Sequence, residues 1–226
     1  MATYTAPVRE IQFVLNDVLN VGQLTEMPAL ADATPDTLNG LVEEAAKFIQ
    51  NQIAPLNAPG DAEGCKLANG EVTVPKGFVE AYKQYWEGGW VGIANPTEWG
   101  GAGLPYTLAK VIDEMLCSAD VAFALYPGLT VGCFEGILAS GSDEIKQKYL
   151  PKLATGEWTG TMCLTEPQAG SDLGAVKTKA TPNGDGSFSL EGGKIFITSG
   201  EHQMAENIIH FVLARATDSP AGVKGL

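Results

Sequence analysis

The stretch MCLTEPQAGSD, Met162–Asp172, decides how this chain is read. A short β-prone run stops at a polar Thr-Glu-Pro turn, and the small-residue loop Ala169-Gly170-Ser171 then ends in a carboxylate. A strand that ends there sets Thr165 at its mouth, where the hydroxyl can face a ligand. Gly170 removes a side chain so that backbone N–H groups can approach an anion, and Ser171 adds a second hydroxyl. Successive small residues in a turn can form an anion-binding nest. Further on, IFITSGE repeats the theme with a strand ending in Thr198-Ser199-Gly200. Period two places Phe196 and Thr198 on one face, an aromatic plate beside a hydroxyl. Two such strand ends suit a flat heteroaromatic ligand with polar edges and a phosphate tail. Turns also select Thr, Ser and Gly for conformation alone. The residues by themselves leave both readings open.

Composition narrows the classes. The 226 residues are 45% hydrophobic and 18% charged, enough apolar content for one large or two modest domains and too much for a disordered chain. A net charge of −13, from 27 acidic and 14 basic residues, argues against nucleic-acid binding, which needs a cationic face. It also leaves any phosphate to be held by local N–H groups and hydroxyls. Cys65, Cys117, Cys133 and Cys163 are scattered, with no CxxC spacing and only His202 and His210 as imidazoles, so no metal site is expected. The N-terminus lacks the charged and apolar regions of a secretory signal, and no apolar stretch reads as membrane-spanning. The expectation is a cytoplasmic chain with no integral membrane association.

The apolar period changes once, near residue 158. Upstream the signals are helical. Val8, Ile11, Leu15, Val18 and Leu19 form a short stripe, and Leu38, Leu41, Val42, Ala45, Ala46, Ile49 and Ile53 mark an amphipathic helix between Pro35 and Pro55. Residues 58–70 read as a Gly/Asn-rich connection, and a helix follows from about Pro75 to Glu87. In NPTEWGGAGLP, Gly100, Gly101 and Gly103 allow positive φ and close backbone approach. Helices are predicted over Tyr106–Ser118 and Val121–Ala139, the second apolar nearly all round and so central to a bundle. A short helix capped by Ser142 comes next. Downstream, β runs are predicted at Gly160–Thr165, Ala175–Thr181, Ser187–Glu191, Lys194–Thr198 and Ile208–Ala214, with PNGDG and EGG as hairpin-type turns. Five strands are few for a closed β structure, so the chain reads as stopping inside its β domain.

Taken together, CLTEPQAGSD, KIFITSG and PTEWGGAGL resemble the acyl-CoA dehydrogenase family of flavoproteins, in order and spacing, from about Thr34 to Ala216. The resemblance implies an α+β multidomain fold: an N-terminal extension over 1–34, an all-α helical bundle over 35–157, and the start of an antiparallel β-barrel-like domain over 158–226. A C-terminal helical domain would follow, with FAD bound between it and the β domain. Residue by residue, Met162, Leu164 and Thr165 would line the isoalloxazine ring, Gly170 and Ser171 would meet the pyrophosphate, and Ser171 would also touch the CoA chain. Phe196, Ile197 and Thr198 would lie by the ring, Phe196 standing where the family usually has tryptophan and so lacking an indole N–H. The stretch before Thr34 and FALYPGLTVG resemble a longer-chain subgroup that includes enzymes acting on 3-(methylthio)propanoyl-CoA.

The reaction so implied is α,β-dehydrogenation of an acyl-CoA to the trans-2-enoyl-CoA, with electrons passed to electron-transfer flavoprotein by a homodimer or homotetramer. An oxidase or monooxygenase of the same architecture, and a non-catalytic acyl-CoA or flavin-binding scaffold, are the alternatives. The glutamate base of the family lies on the second helical domain, so no catalytic residue is expected in this chain, which would be inactive alone and hold flavin weakly. Glu166 is expected to brace its turn, and Glu114 and Glu135 to be solvated or paired. His202 and His210 are expected to be ordinary strand or loop residues. EWGGAGLP lacks the Lys-Ser/Thr of a phosphate loop and reads as a tight connection between helices.

Overall fold

The computed structural model describes residues 4–226. Among the described residues the α-helices come in chain order, α1 (Val8–Phe13), α2 (Pro35–Phe48), α3 (Asn57–Glu63), α4 (Phe78–Glu87), α5 (Tyr106–Ala119), α6 (Val121–Ser140) and α7 (Asp143–Thr155). The strands are β1 (Lys66–Ala68) and β2 (Glu71–Thr73) before α4, then β3 (Thr159–Cys163), β4 (Lys179–Pro182), β5 (Phe188–Glu191), β6 (Ile208–Val212) and β7 (Arg215–Ala216).

Helix boundaries follow from caps. The Thr34 hydroxyl accepts the Thr37 N–H and Pro35 takes the first position of α2, where a missing N–H costs nothing. α2 runs on into a π turn, Ile49–Ile53, which keeps Ile49 and Ile53 on the buried side. Ser142 caps α7 through the Ile145 N–H, and Gly156, at φ +86°, ends it. The predicted start of α4 at Pro75 moves to Phe78, because Gly77 holds a left-handed conformation just before it. The expected connection over 58–70 is instead α3 followed by the β1–β2 hairpin, which turns at Asn69-Gly70, both at positive φ.

α6 is the axle. By length and composition it could cross a membrane, which corrects the expectation that no stretch reaches that length. Here one side of it is taken up by protein: it packs on α5, α7 and β3, and Phe123, Ala124, Cys133, Phe134 and Ile137 are buried, while Val121 and Leu125 stay exposed. Phe123 packs edge-on to Phe78 and Tyr85 of α4, with centroids 5.7 and 6.1 Å away. Each such ring contributes on the order of 2 kcal/mol by burial alone.

Asp120 starts this helix. One carboxylate oxygen accepts the Phe123 N–H at 3.0 Å, the other is buried without a partner, and burial raises its pKa above the usual carboxylate range against the pull of its backbone bonds. Asp120→Asn keeps the cap and removes the buried charge. Its stability at neutral pH is expected to equal or exceed that of the wild type, whereas Asp120→Ala should lose about 1 kcal/mol. Urea denaturation of the two variants checks this, and an equal loss in both would contradict it.

The β region pairs differently from expectation. β4 and β5 are antiparallel, joined through Asn183–Ser187 with Gly184 and Gly186 at positive φ, but β3–β6 and β4–β7 are parallel. The sheets are β3–β6 and β5–β4–β7, and among the described residues they close no barrel. Residues 194–198 form no strand, because among the described residues their backbone pairing is the single bond from Ile195 N–H to Thr165 O and the backbone turns left-handed at Phe196. β3 lies directly on α6. A Cβ on Gly160 would stand 2.4 Å from Cys133 Cβ, so only glycine lets the strand reach the helix.

Candidate functional site

β3 delivers the first motif. Its parallel register sets Met162 beside Phe211 and Cys163 beside Val212, and Leu213 N–H donates to Cys163 O at 3.1 Å. Phe211, which sequence reading did not single out, lays its ring over Gly136 of α6, so an aromatic edge flanks Met162. Past Cys163 the chain leaves the sheet. Glu166 and Ala169 exchange backbone hydrogen bonds at 2.8 and 3.0 Å, closing a tight loop. That loop brings Gly170 back beside Thr165: a Cβ on Gly170 would lie 3.8 Å from Thr165 Cγ2, an ordinary contact.

Lys194 stitches the second motif to the first. Its ammonium donates to Leu164 O and to Glu166 Oε1, both at 2.9 Å, while Ile195 N–H donates to Thr165 O. Glu166 is only 3% exposed and also accepts the N–H groups of Lys177 at 2.8 Å and Thr178 at 3.0 Å. Burial pushes its pKa up, but hydrogen bonds from Thr178, Lys194 and Lys177 outweigh that and hold the carboxyl far below the usual range. A carboxylate so committed braces the turn and is no acid or base. A cleft of about 340 Å³ lies on this side of the brace, between Pro167-Gln168 and Gly192-Gly193.

The polar side-chain bonds of this region run through Glu166, Gln168 and Lys194, and among the described residues none engages the hydroxyls of Thr165, Ser171 or Thr198. Ser171 and Gly170 are exposed, while Met162, Leu164, Ile197 and Thr198 are half-buried. Phe196 corrects the alternation argument. It is 88% exposed at φ +57°, and with no strand through 194–198 it does not share a face with Thr198 by period two. An aromatic residue in left-handed backbone costs on the order of 1 kcal/mol, and the chain's own packing returns nothing for it.

Behind the tips sits a polar cluster that sequence reading passed over as ordinary. His210 Nδ1 lies 2.7 Å from Thr161 Oγ1, and His202 is buried between Thr159 and Tyr126. Burial, then the neighbouring His210, pushes His202 down from its ordinary 6.5 to about 4. Between those values the unfolded chain binds a proton that the folded chain does not, so stability rises with pH across that window and falls as acid is added. His202→Asn is expected to flatten this slope between pH 6.5 and 4 in denaturant titrations. A slope unchanged in the variant would contradict the assignment.

Residues 35–157 match the model of the acyl-CoA dehydrogenase N-terminal domain and residues 161–226 that of the middle domain. A 3-methylmercaptopropionyl-CoA dehydrogenase of Ruegeria pomeroyi is 45% identical over 99% of this chain, which spans 38% of that protein's length. An acyl-CoA dehydrogenase of Bacillus anthracis, solved in complex with FAD, superposes with a TM-score of 0.66 at 30% identity, covering 80% of this chain and 29% of that one. A chain in a structure described as the electron transferring flavoprotein of Acidaminococcus fermentans superposes with a TM-score of 0.62 at 32% identity, covering 72% of this chain and 40% of that one. With both domain models matched across nearly all of residues 35–226, the chain belongs to the acyl-CoA dehydrogenase family.

Proposed function

We propose that the two tips form one wall of an FAD site, and that the whole protein carries out α,β-dehydrogenation of an acyl-CoA thioester and passes the electrons to an electron-transfer flavoprotein. One observation carries the reading: Lys194 and Ile195 clamp the Leu164–Glu166 turn beside the 196–198 segment, leaving three hydroxyls without partners among the described residues and Phe196 bare. These residues fit a flavin. Thr165 and Thr198 offer donors to a polar ring edge, Gly170 and Ser171 leave room and a hydroxyl for a diphosphate, and Met162, Leu164, Ile197 and Phe196 supply apolar cover. When bound, FAD supplies the hydride acceptor. This chain's part is to orient the ring and exclude water from one face. Glu166 is held ionised and fully bonded, so proton abstraction falls to a group other than this carboxylate.

The relative from Ruegeria pomeroyi supports a small sulfur-containing acyl group as substrate, and the flavoprotein structure from Acidaminococcus fermentans supports the acceptor. Anaerobic addition of short acyl-CoA thioesters to the whole FAD-loaded protein tests the reading. Bleaching of the visible flavin band is expected, and an unchanged spectrum with every thioester would contradict it. The 226-residue chain alone is expected to give no acyl-CoA-dependent reduction of a dye acceptor. Turnover by it would show that a base is present after all.

A further inference from the structure

The segment 199–207, SGEHQMAEN, links the second tip to β6 and is polar enough to float in solvent. Yet His202 and Met204 within it are 4% and 5% exposed. The Met204 N–H donates to His202 Nδ1 at 3.1 Å, so that nitrogen is an acceptor and the ring proton sits on Nε2. Nε2 faces Thr159 Oγ1 at 3.1 Å and therefore donates to it. The Thr159 hydroxyl is left to reach Asn207 O at 3.5 Å, and the Thr159 N–H donates to the same carbonyl at 3.1 Å. Tyr126 of α6 stands edge-on to the imidazole, centroids 5.2 Å apart, and Gln203 Oε1 accepts the Val74 N–H at 3.2 Å.

This arrangement ties the middle and the far end of the segment, His202 and Asn207, to one residue, Thr159, the first of the strand that carries Met162. His202 is four residues past Thr198, with the left-handed Ser199 between them. The tips are thus joined twice, in front by Lys194 and Ile195 and at their roots by His202 and Thr159. We propose that neutral His202 is a positioning residue that fixes the Phe196–Thr198 tip relative to β3, a role that rests on the flavin reading of those tips. It touches no ligand itself. Both ring nitrogens are used, one to hold the local turn and one to reach the strand.

Variants separate the two nitrogens. In His202→Asn the amide oxygen can still accept the Met204 N–H, as Asn does in turns, but nothing reaches Thr159. Thr159→Val removes the same link from the other side. Hydrogen exchange of the Phe196–Gly200 amides, read without FAD, is expected to quicken about tenfold in each single variant, the size of one lost buried hydrogen bond. The double variant should be no faster than either single one, since both remove one interaction. FAD affinity should fall about tenfold as well. Val42→Ala opens a cavity in the helical core at a fully buried residue, and should lower global stability while leaving exchange at 196–200 and FAD affinity unchanged.

Wild-type exchange at 196–200 in His202→Asn, or strictly additive effects with Thr159→Val, would overturn the proposal. His202→Gln provides the converse check, because its amide N–H can reach Thr159 and should restore part of the protection. Failure of the whole wild-type protein to bind FAD would sink the flavin reading instead. The exchange cycle decides the coupling without any cofactor.

Discussion

Lys194→Met is expected to destabilise the chain by about 3 kcal/mol or more. Lys194 Nζ is the one cation paired with Glu166 among the described residues, and the two side chains are only 11% and 3% exposed. Removing the ammonium leaves a carboxylate buried against two backbone N–H groups and the Gln168 amide, with no counter-charge. Its pKa should climb back toward the ordinary range, and the acid limb of the stability curve should move to higher pH. The sign follows from linkage: a carboxyl held low in the fold stabilises above its unfolded pKa of 4.5 and loses that contribution as acid protonates it. Pairing Lys194→Met with Glu166→Gln removes both charges and should recover part of the loss. Denaturant unfolding across pH measures all of this. A Lys194→Met variant within 1 kcal/mol of the wild type would mean that the two backbone N–H groups suffice and that the stitch between the motifs is incidental.

Gly101→Ala is the second large effect. A Cβ there would stand 2.1 Å from the Asn95 carbonyl oxygen and 2.4 Å from its carbon, and these are backbone atoms that no rotamer change can move. Asn95 is itself pinned, since its amide donates to Ala154 O at 2.8 Å and its carbonyl accepts the Gly103 N–H. The whole 95–104 connection would have to shift, at a cost of about 3 kcal/mol or more. Gly100→Ala faces a different penalty. Its φ of +94° is strained for alanine, but the nearest atom is a Thr155 methyl at 3.4 Å, so a loss of about 1–2 kcal/mol is expected. Thermal unfolding of the pair ranks them, and equal losses would refute the backbone clash.

The helical half was legible because its signals are local. Pro35 starts a helix through its fixed backbone and Ser142 caps one through its hydroxyl, and the steps among Leu38, Val42, Ala46, Ile49 and Ile53 state which face is buried. The π turn that carries the last of these leaves no such mark. The β half was less legible, since alternation says which residues share a face but not which strand lies alongside, and the parallel pairing of β3 with β6 comes from the strand lying on α6. Phe196 was misplaced for the same reason: a β-prone run without a partner need not be a strand. Of the site, the Thr165–Gly170 juxtaposition and the bracing role of Glu166 could be read from the motif. Lys194, Phe211 and His202 could not, because each acts across a gap in sequence that only the folded chain closes.

Gly170 gives the sharpest test of the flavin wall. Its φ is not left-handed and an added Cβ meets only Thr165 Cγ2 at 3.8 Å, so the fold has no use for glycine there. FAD titrated into the whole protein, followed by quenching of its fluorescence, is expected to saturate. Gly170→Asp, which sets a carboxylate where the diphosphate would lie, should unfold at the same denaturant concentration yet bind FAD about 100-fold more weakly. Absent quenching in the wild type, or equal FAD affinity in the variant, would contradict the account.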